Sequence, residues 1–149
     1  MENKTQTMPL GYALEQVSSL VTKQLDQILL EQLGIGYAQF KILRVLAGSA
    51  VMSQRHIADQ LTQTEAGISR QLKLLHDDNL VQTHIDPDNR RQHLSRLTFK
   101  GQRFTLAAEN LLERYEQTMF KPLKPKEQSA LHDALARLHE QTHALAQDE

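Results

Sequence analysis

Apolar and polar positions follow two rhythms along this chain, and the change of rhythm predicts the elements. From Leu10 to Leu33, Leu14, Val17, Val21, Leu25, Ile28 and Leu29 recur at helical spacing, and Leu10, Leu20 and Leu30 widen the apolar face. Gly34 and Gly36 end that helix. Tyr37 to Ala47 is a second helix, with Phe40, Leu43 and Leu46 inward and Gly48 closing it. Ser53 is placed to cap a short third helix, Gln54–Gln60, with Ile57, Ala58 and Leu61 as its apolar set. Thr62 and Glu65 have capping-box spacing and open a fourth helix, Gln63–Asp77, whose apolar row is Ile68, Leu72 and Leu75. Asn79 stands where a left-handed residue often ends a helix.

The rhythm then shortens. Leu80 to Ile85 and Gln92 to Leu97 are candidate strands, with Leu94 and Leu97 anchoring the return. Thr98 caps the next helix, whose first turn Gly101 weakens. Phe104, Leu106, Ala107, Leu111, Leu112, Tyr115 and Met119 give that helix a broad apolar surface. Pro122 and Pro125 interrupt the chain before a final helix, Glu127 to Ala146, with Leu131, Leu135 and Leu138 in register. The prediction is a mostly α fold in the order four helices, a hairpin and two helices.

Between the two strands lies Asp86-Pro87-Asp88-Asn89-Arg90-Arg91. Asp, Pro and Asn suit a turn, so the segment reads as a hairpin tip carrying two cations. Two short helices followed by such a hairpin make a helix-turn-helix with a basic wing. The net charge of −1 over 149 residues argues neither for nor against nucleic acid. Its distribution is more informative. Ten Lys or Arg stand against six Asp or Glu between Lys41 and Arg103, and seven against twelve elsewhere, so the basic excess coincides with the suspected reading head. The absence of cysteine excludes disulfides and thiolate chemistry. No stretch of the sequence is apolar enough for a membrane span, and Met1 to Pro9 reads as a polar tail without a signal-peptide core, so a cytoplasmic protein is expected.

A helix fits the major groove and can meet base edges there. With the row Ile68, Leu72 and Leu75 turned inward, Gln63, Thr64, Ala66, Gly67, Arg70 and Gln71 form the exposed leading surface of the fourth helix. Gly67 permits close backbone approach, Arg70 suits guanine or phosphate, and Gln71 suits adenine. Lys73 suits phosphate or solvent. Ser53, Gln54 and Arg55 begin the supporting helix, where amides and a cation can hold the DNA backbone. Arg90 and Arg91 suit backbone or minor-groove contact, and alternation along a strand would turn them opposite ways. Asp86 and Asp88 repel phosphate and are expected to fix the turn or orient an arginine.

The terminal helices carry more leucine than a small reading head covers, which predicts a dimer interface over a monomeric bundle. His139-Glu140-x-x-His143 matches a metalloprotease string, but only six residues follow it, so a further downstream ligand is limited to Asp148 or Glu149. No enzyme, catalytic residue, metal ligand or cofactor is therefore expected. Two other readings stay open: a metal-responsive regulator, and a winged-helix protein-interaction module without DNA binding.

Over nearly its whole length in element order, and most specifically from Ser53 to Gly101, the chain resembles the multiple-antibiotic-resistance regulator (MarR-type) family of bacterial winged helix-turn-helix repressors. The resemblance rests on Ile57-Ala58-x-x-Leu61, Ile68-Ser69-Arg70 with Leu72 and Leu75, Asn79-Leu80-Val81, the Asp86–Arg91 tip, and Leu97-Thr98-x-x-Gly101. The family pattern usually has Gly at Asn79, Arg within the stretch Gln82-Thr83-His84, and often Asp at Asn89. The resemblance implies one domain over residues 10–149, with a DNA-binding lobe at 37–100 and dimerisation helices at 10–33 and 101–146. It implies a homodimer that represses transcription from a near-palindromic double-stranded DNA operator. It also implies release by a small phenolic or anionic effector. Tyr12, Tyr37, Arg44 and Met52 are candidates for such a ligand by their place near the junction of head and base, with Phe40 more suited to core packing.

Overall fold

The computed structural model describes residues 8–147. Along the chain run α1 (Leu10–Leu33), α2 (Tyr37–Ala47), β1 (Met52–Ser53), α3 (Gln54–Leu61), α4 (Glu65–Asp77), β2 (Val81–Ile85), β3 (His93–Leu97), α5 (Phe99–Met119) and α6 (Pro125–Gln147). The three strands form one antiparallel sheet in the order β1-β3-β2. This is the mostly α winged helix-turn-helix expected from the sequence. Most of the predicted tail, Met1 to Pro9, lies outside the described residues.

The described residues fall into two compact units that divide between Asn110 and Leu111. The first has a core of Leu25 and Leu29 from α1, Phe40, Ile42, Leu43 and Leu46 from α2, Ile57 from α3, and Ile68, Leu72 and Leu75 from α4, all buried. The rows read from the sequence in α2 and α4 are therefore rows that bury, and in α1 Leu25 and Leu29 do so. The other end of α1 behaves differently, since Leu10, Leu14, Val17 and Leu20 are exposed.

Helix ends follow local hydrogen-bond chemistry. Gly34, with φ 72°, ends α1 in the left-handed region, and its N–H donates to the Leu30 carbonyl. The next helix starts two residues after Ile35, and its first amides find side-chain acceptors. Tyr37 N–H donates to Asp26 Oδ1 at 2.8 Å, and Gly36 N–H donates to Gln39 Oε1 at 2.9 Å. Asp26 thus ties α1 to the start of α2. Asp26→Ala should cost about 1 kcal/mol through loss of this acceptor, measured as a lower midpoint in urea.

Several boundaries differ from the sequence reading. Helix α4 begins at Glu65, not Gln63, because Thr64 is its N-cap: the Thr64 hydroxyl accepts from Gly67 N–H at 3.1 Å. Thr62 is not the capping residue; it is the left-handed C-cap of α3 (φ 53°), and Gln63 N–H donates back to Ala58 O. Gln63 and Thr64 consequently lie in the turn between the helices. The strands each start one residue later than expected, at Val81 and His93. Leu94 and Leu97 are an odd number of residues apart and take opposite faces, so they do not anchor the strand together. The fully buried β3 residue is Ser95, whose hydroxyl lies 3.2 Å from that of Thr83. Asn79 does adopt the left-handed conformation, φ 58°, with Leu80 N–H returning to Leu75 O.

The start of α5 explains Gly101. Thr98 caps the helix by accepting from Gly101 N–H at 2.9 Å, and Thr98 N–H itself donates to Leu80 O. That arrangement presses α5 against the Leu80 carbonyl, and a β-carbon at Gly101 would overlap its oxygen. Gly101 is therefore a crossing point more than a weak spot. Gly101→Ala should destabilise the protein by roughly 3 kcal/mol, because backbone meets backbone and neither side can swing away. Thermal unfolding would check this, with a fall of about 6–12 °C expected. Along α5, Ala108 and Leu112 are buried, whereas Leu106 and Ala107, assigned to its apolar surface, are exposed.

In the second unit, α6 begins at Pro125 and not at Glu127. Proline has no N–H to lose at a first helical position, and Lys124 N–H donates to Glu127 Oε2 at 2.7 Å. Gln128 Nε2 reaches the carbonyls of Phe120 and Leu123, securing the preceding turn. No residue of α6 is buried, and Leu131, Leu135 and Leu138 remain 38–45% exposed.

Candidate nucleic-acid interface

The wing tip is built by its own side chains. Asp86 Oδ1 accepts from Asp88 N–H at 2.9 Å, and Asn89 Oδ1 accepts from Arg91 N–H at 3.2 Å. Asp86 N–H donates to Gln92 O, and Gln92 N–H to Asn89 O, closing the loop. Asp86 thus fixes the turn, as expected. Neither Asp86 nor Asp88 forms an ion pair with a wing arginine. Arg90 and Arg91 lie in a turn before β3, so strand alternation does not govern where they point.

Position separates the two arginines instead. Arg91 lines a cleft of about 330 Å³ with Gln54, Arg55, Glu65, Asn89, Gln92 and His93, whereas Arg90 does not line it. The cleft therefore joins the start of α3, the start of α4 and the base of the wing tip. Gln54 Nε2 donates to the Glu65 carbonyl at 3.3 Å and holds the two helix starts together. Ser53 has its hydroxyl engaged as the α3 cap, accepting from His56 N–H at 3.1 Å.

On α4, Ala66, Arg70 and Lys73 are exposed, as are Gln63 and Thr64 in the preceding turn. Gly67 and Gln71 are half-buried. A β-carbon at Gly67 would stand 3.1 Å from the Thr64 hydroxyl, so this glycine leaves room for its own helix cap. Arg55, Arg70, Lys73, Arg90 and Arg91 make no hydrogen bond or ion pair through their side chains among the described residues. Five exposed cations without internal partners stand around the helix-turn-helix and wing. Glu65 is the acidic side chain in the cleft; at the first turn of α4 it is favoured by the helix dipole. Sequence reasoning assigned it only a capping role, and it did not single out Asn89, Gln92 and His93 as cleft residues. Only their proximity to Arg91 along the chain pointed to them.

A family model described as MarR family matches residues 33–92, from the end of α1 to the wing. The sequence similarity to the MarR family thus covers the helix-turn-helix and the wing. The chain's fold is that of the family's transcriptional regulators over most of its length. Apo MarR from E. coli is 24% identical, with 88% of this chain and 96% of that chain covered and a TM-score of 0.77. A mutant of E. coli MarR complexed with operator DNA is 23% identical, covering 93% and 99%, with a TM-score of 0.79. The transcriptional regulator BldR from Sulfolobus solfataricus is 21% identical, covering 92% and 99%, with a TM-score of 0.77. No curated protein sequence shows significant similarity.

The candidate ligand residues are dispersed in environment. Tyr12 is exposed on α1 and Arg44 is exposed on α2. Tyr37 stacks on Phe40 with ring centroids 6.1 Å apart, and Lys41 Nζ lies 5.4 Å from the Tyr37 centroid. Met52 is buried in β1. A cavity of about 300 Å³ lined by the end of α2, Leu97 and α5 contains none of these four. His139 and His143 are exposed with ring centroids 6.1 Å apart, and no group of three or more His, Cys, Asp or Glu suited to a metal occurs among the described residues. Asp148 and Glu149, considered as further ligands, lie outside the described residues. Among the described residues no helix is long and apolar enough to cross a membrane.

Proposed function

We propose that the protein is a homodimeric, sequence-specific DNA-binding repressor of a near-palindromic operator, acting in the cytoplasm and relieved by a small molecule. The observation that carries this reading is the cleft where Arg55 and Arg91 meet the start of α4, with Arg70 and Lys73 exposed along the same helix. Unpaired exposed cations gain from phosphate without first breaking an internal salt bridge. Arg70 and Gln71 are assigned to base edges, with Gln63, Thr64, Ala66 and Gly67 forming the surface that enters the groove. Ser53, Gln54, Arg55 and Lys73 hold the backbone. Arg91 serves the backbone next to α3, and Arg90 the minor groove beyond it.

The domain assignment follows the same logic. Residues 37–100 carry the reading head, and residues 10–33 with 101–146 carry dimerisation. Exposed leucines on α1 and α6 support that role, since a second copy would cover them. Effector release is then a population shift toward a dimer whose heads no longer match the operator spacing. Tyr12, Tyr37, Arg44 and Met52 stand as the candidate residues through which a phenolic or anionic effector acts. The test is titration of the protein with duplex DNA from around its own gene and with scrambled duplex of equal length. At physiological salt the specific duplex should bind about a thousandfold more tightly or better. Equal affinities would contradict sequence-specific repression.

A further inference from the structure

The cavity between the end of α2 and the start of α5 has a charge character of its own. It measures about 300 Å³, the lower end of what small-ligand sites enclose. Leu46, Leu97 and Leu106 supply apolar wall, and Gln102, Thr105 and Glu109 supply polar groups from one face of α5. Glu109 is the charged side chain among the lining residues, and the residue is half-buried. It has no hydrogen-bond or ion-pair partner among the described residues. Ala47, Ser49 and Ala50 bring the C-terminal end of α2 to the same wall, where helix carbonyls leave partial negative charge. Arg44, the basic residue of the last α2 turn, does not line it.

We infer that this cavity is a binding site for a small organic cation with an apolar body, its charged end held by Glu109 and the α2 carbonyl end. A carboxylate without a partner, on a half-buried residue beside apolar wall, favours a cation and disfavours an anion by the same electrostatics. The apolar wall excludes a bare metal ion as the matching ligand, because nothing besides Glu109 offers an anionic donor. This class is opposite in charge to the phenolic or anionic effector that the family resemblance implies. None of the residues assigned to DNA lines the cavity, so cation and DNA do not compete for the same groups. Leu97 ends β3 and precedes the α5 cap, so the occupied cavity adjoins the strand that carries the wing. Its role as an effector site rests on the regulator reading; the binding itself does not.

Three probes of nearly equal shape separate the charges: benzamidinium, benzamide and benzoate. Each is titrated into the full-length protein without DNA, and amide NMR shifts are followed at Ala47, Ser49, Ala50, Gln102 and Leu106. Benzamidinium should shift these resonances saturably and benzoate should not. Glu109→Gln should weaken benzamidinium about tenfold or more while leaving the benzamide response unchanged. The proposal is overturned if benzamidinium leaves these amides unmoved, if benzoate binds as well, or if Glu109→Gln has no effect on benzamidinium. A matching amide spectrum and melting temperature for the variant establish that it is folded. Operator titration with and without saturating benzamidinium then bears on regulation alone: unchanged DNA affinity removes the effector role and leaves the site standing.

Discussion

Replacing Arg90 and Arg91 together by alanine should weaken operator binding by roughly 10–100-fold and flatten its salt dependence by about one to two units in the log–log slope. Both side chains are exposed and unpaired, so their removal breaks no internal interaction and the folded stability should hold. Position predicts an unequal division. Arg91 shares its cleft with Gln54 and Arg55, so its loss should weaken every DNA sequence alike. Arg90 lies away from that cleft, and its loss should act most on operators with A·T-rich flanks, where a narrow minor groove concentrates negative potential. Titrations at several salt concentrations, on two operators differing only in their flanks, separate the two effects. An unchanged salt slope in the double variant would remove the wing from the interface.

The second large effect is expected from α6. Leu131→Glu combined with Leu138→Glu places two charges in a row whose leucines are exposed in the single chain. If a second copy covers that row, the substitutions bury unpaired carboxylates and the dimer should dissociate. Operator affinity should then fall by about 100-fold or more, because each head must find its half-site without the other tethered nearby. Sedimentation at micromolar concentration reads the assembly, and titration with operator DNA reads the consequence. A variant that remains dimeric with full affinity would place the interface elsewhere. The substitutions leave the core residues around α2, α3 and α4 untouched, so a retained helical spectrum marks the loss as one of assembly.

The legible parts of this fold were those specified by neighbours in the chain. Leu10–Leu33 has its observed bounds because an apolar row ends at a glycine able to take the left-handed conformation. Ser53, Asn79 and Thr98 were legible for the same reason, each acting within a few residues of itself. What required three dimensions was less legible. Strand β1 is two residues long and exists through pairing of Met52 with Ser95 and Ser53 with Leu94. Thr62 and Thr64 both suit a helix start, and the left-handed turn after α3 decides between them. Gly101 looked like a poor helix residue because the Leu80 carbonyl it accommodates is distant in sequence.

The candidate interface divides along the same line. Arg70, Arg90 and Arg91 stood out by residue type and context. The meeting of Arg91 with Arg55 and Glu65 depends on how the wing folds back beside two helix starts. The α2–α5 cavity gave no sequence signal, since its walls come from Leu46, Leu97 and Glu109, far apart along the chain. Residue chemistry thus pointed to an exposed basic surface, and tertiary structure separated Arg91 from Arg90 within it.

Selection of bound duplexes from a random-sequence pool tests the central claim most directly, because it presumes no particular gene. The folded protein should enrich a near-palindrome with half-site centres about one helical turn apart or a multiple of it, as two symmetric heads require. Arg70→Ala should lose preference at one base in each half-site, at a cost of about 1–3 kcal/mol. A pool that remains random after repeated rounds with intact, folded protein would contradict sequence-specific recognition by this chain.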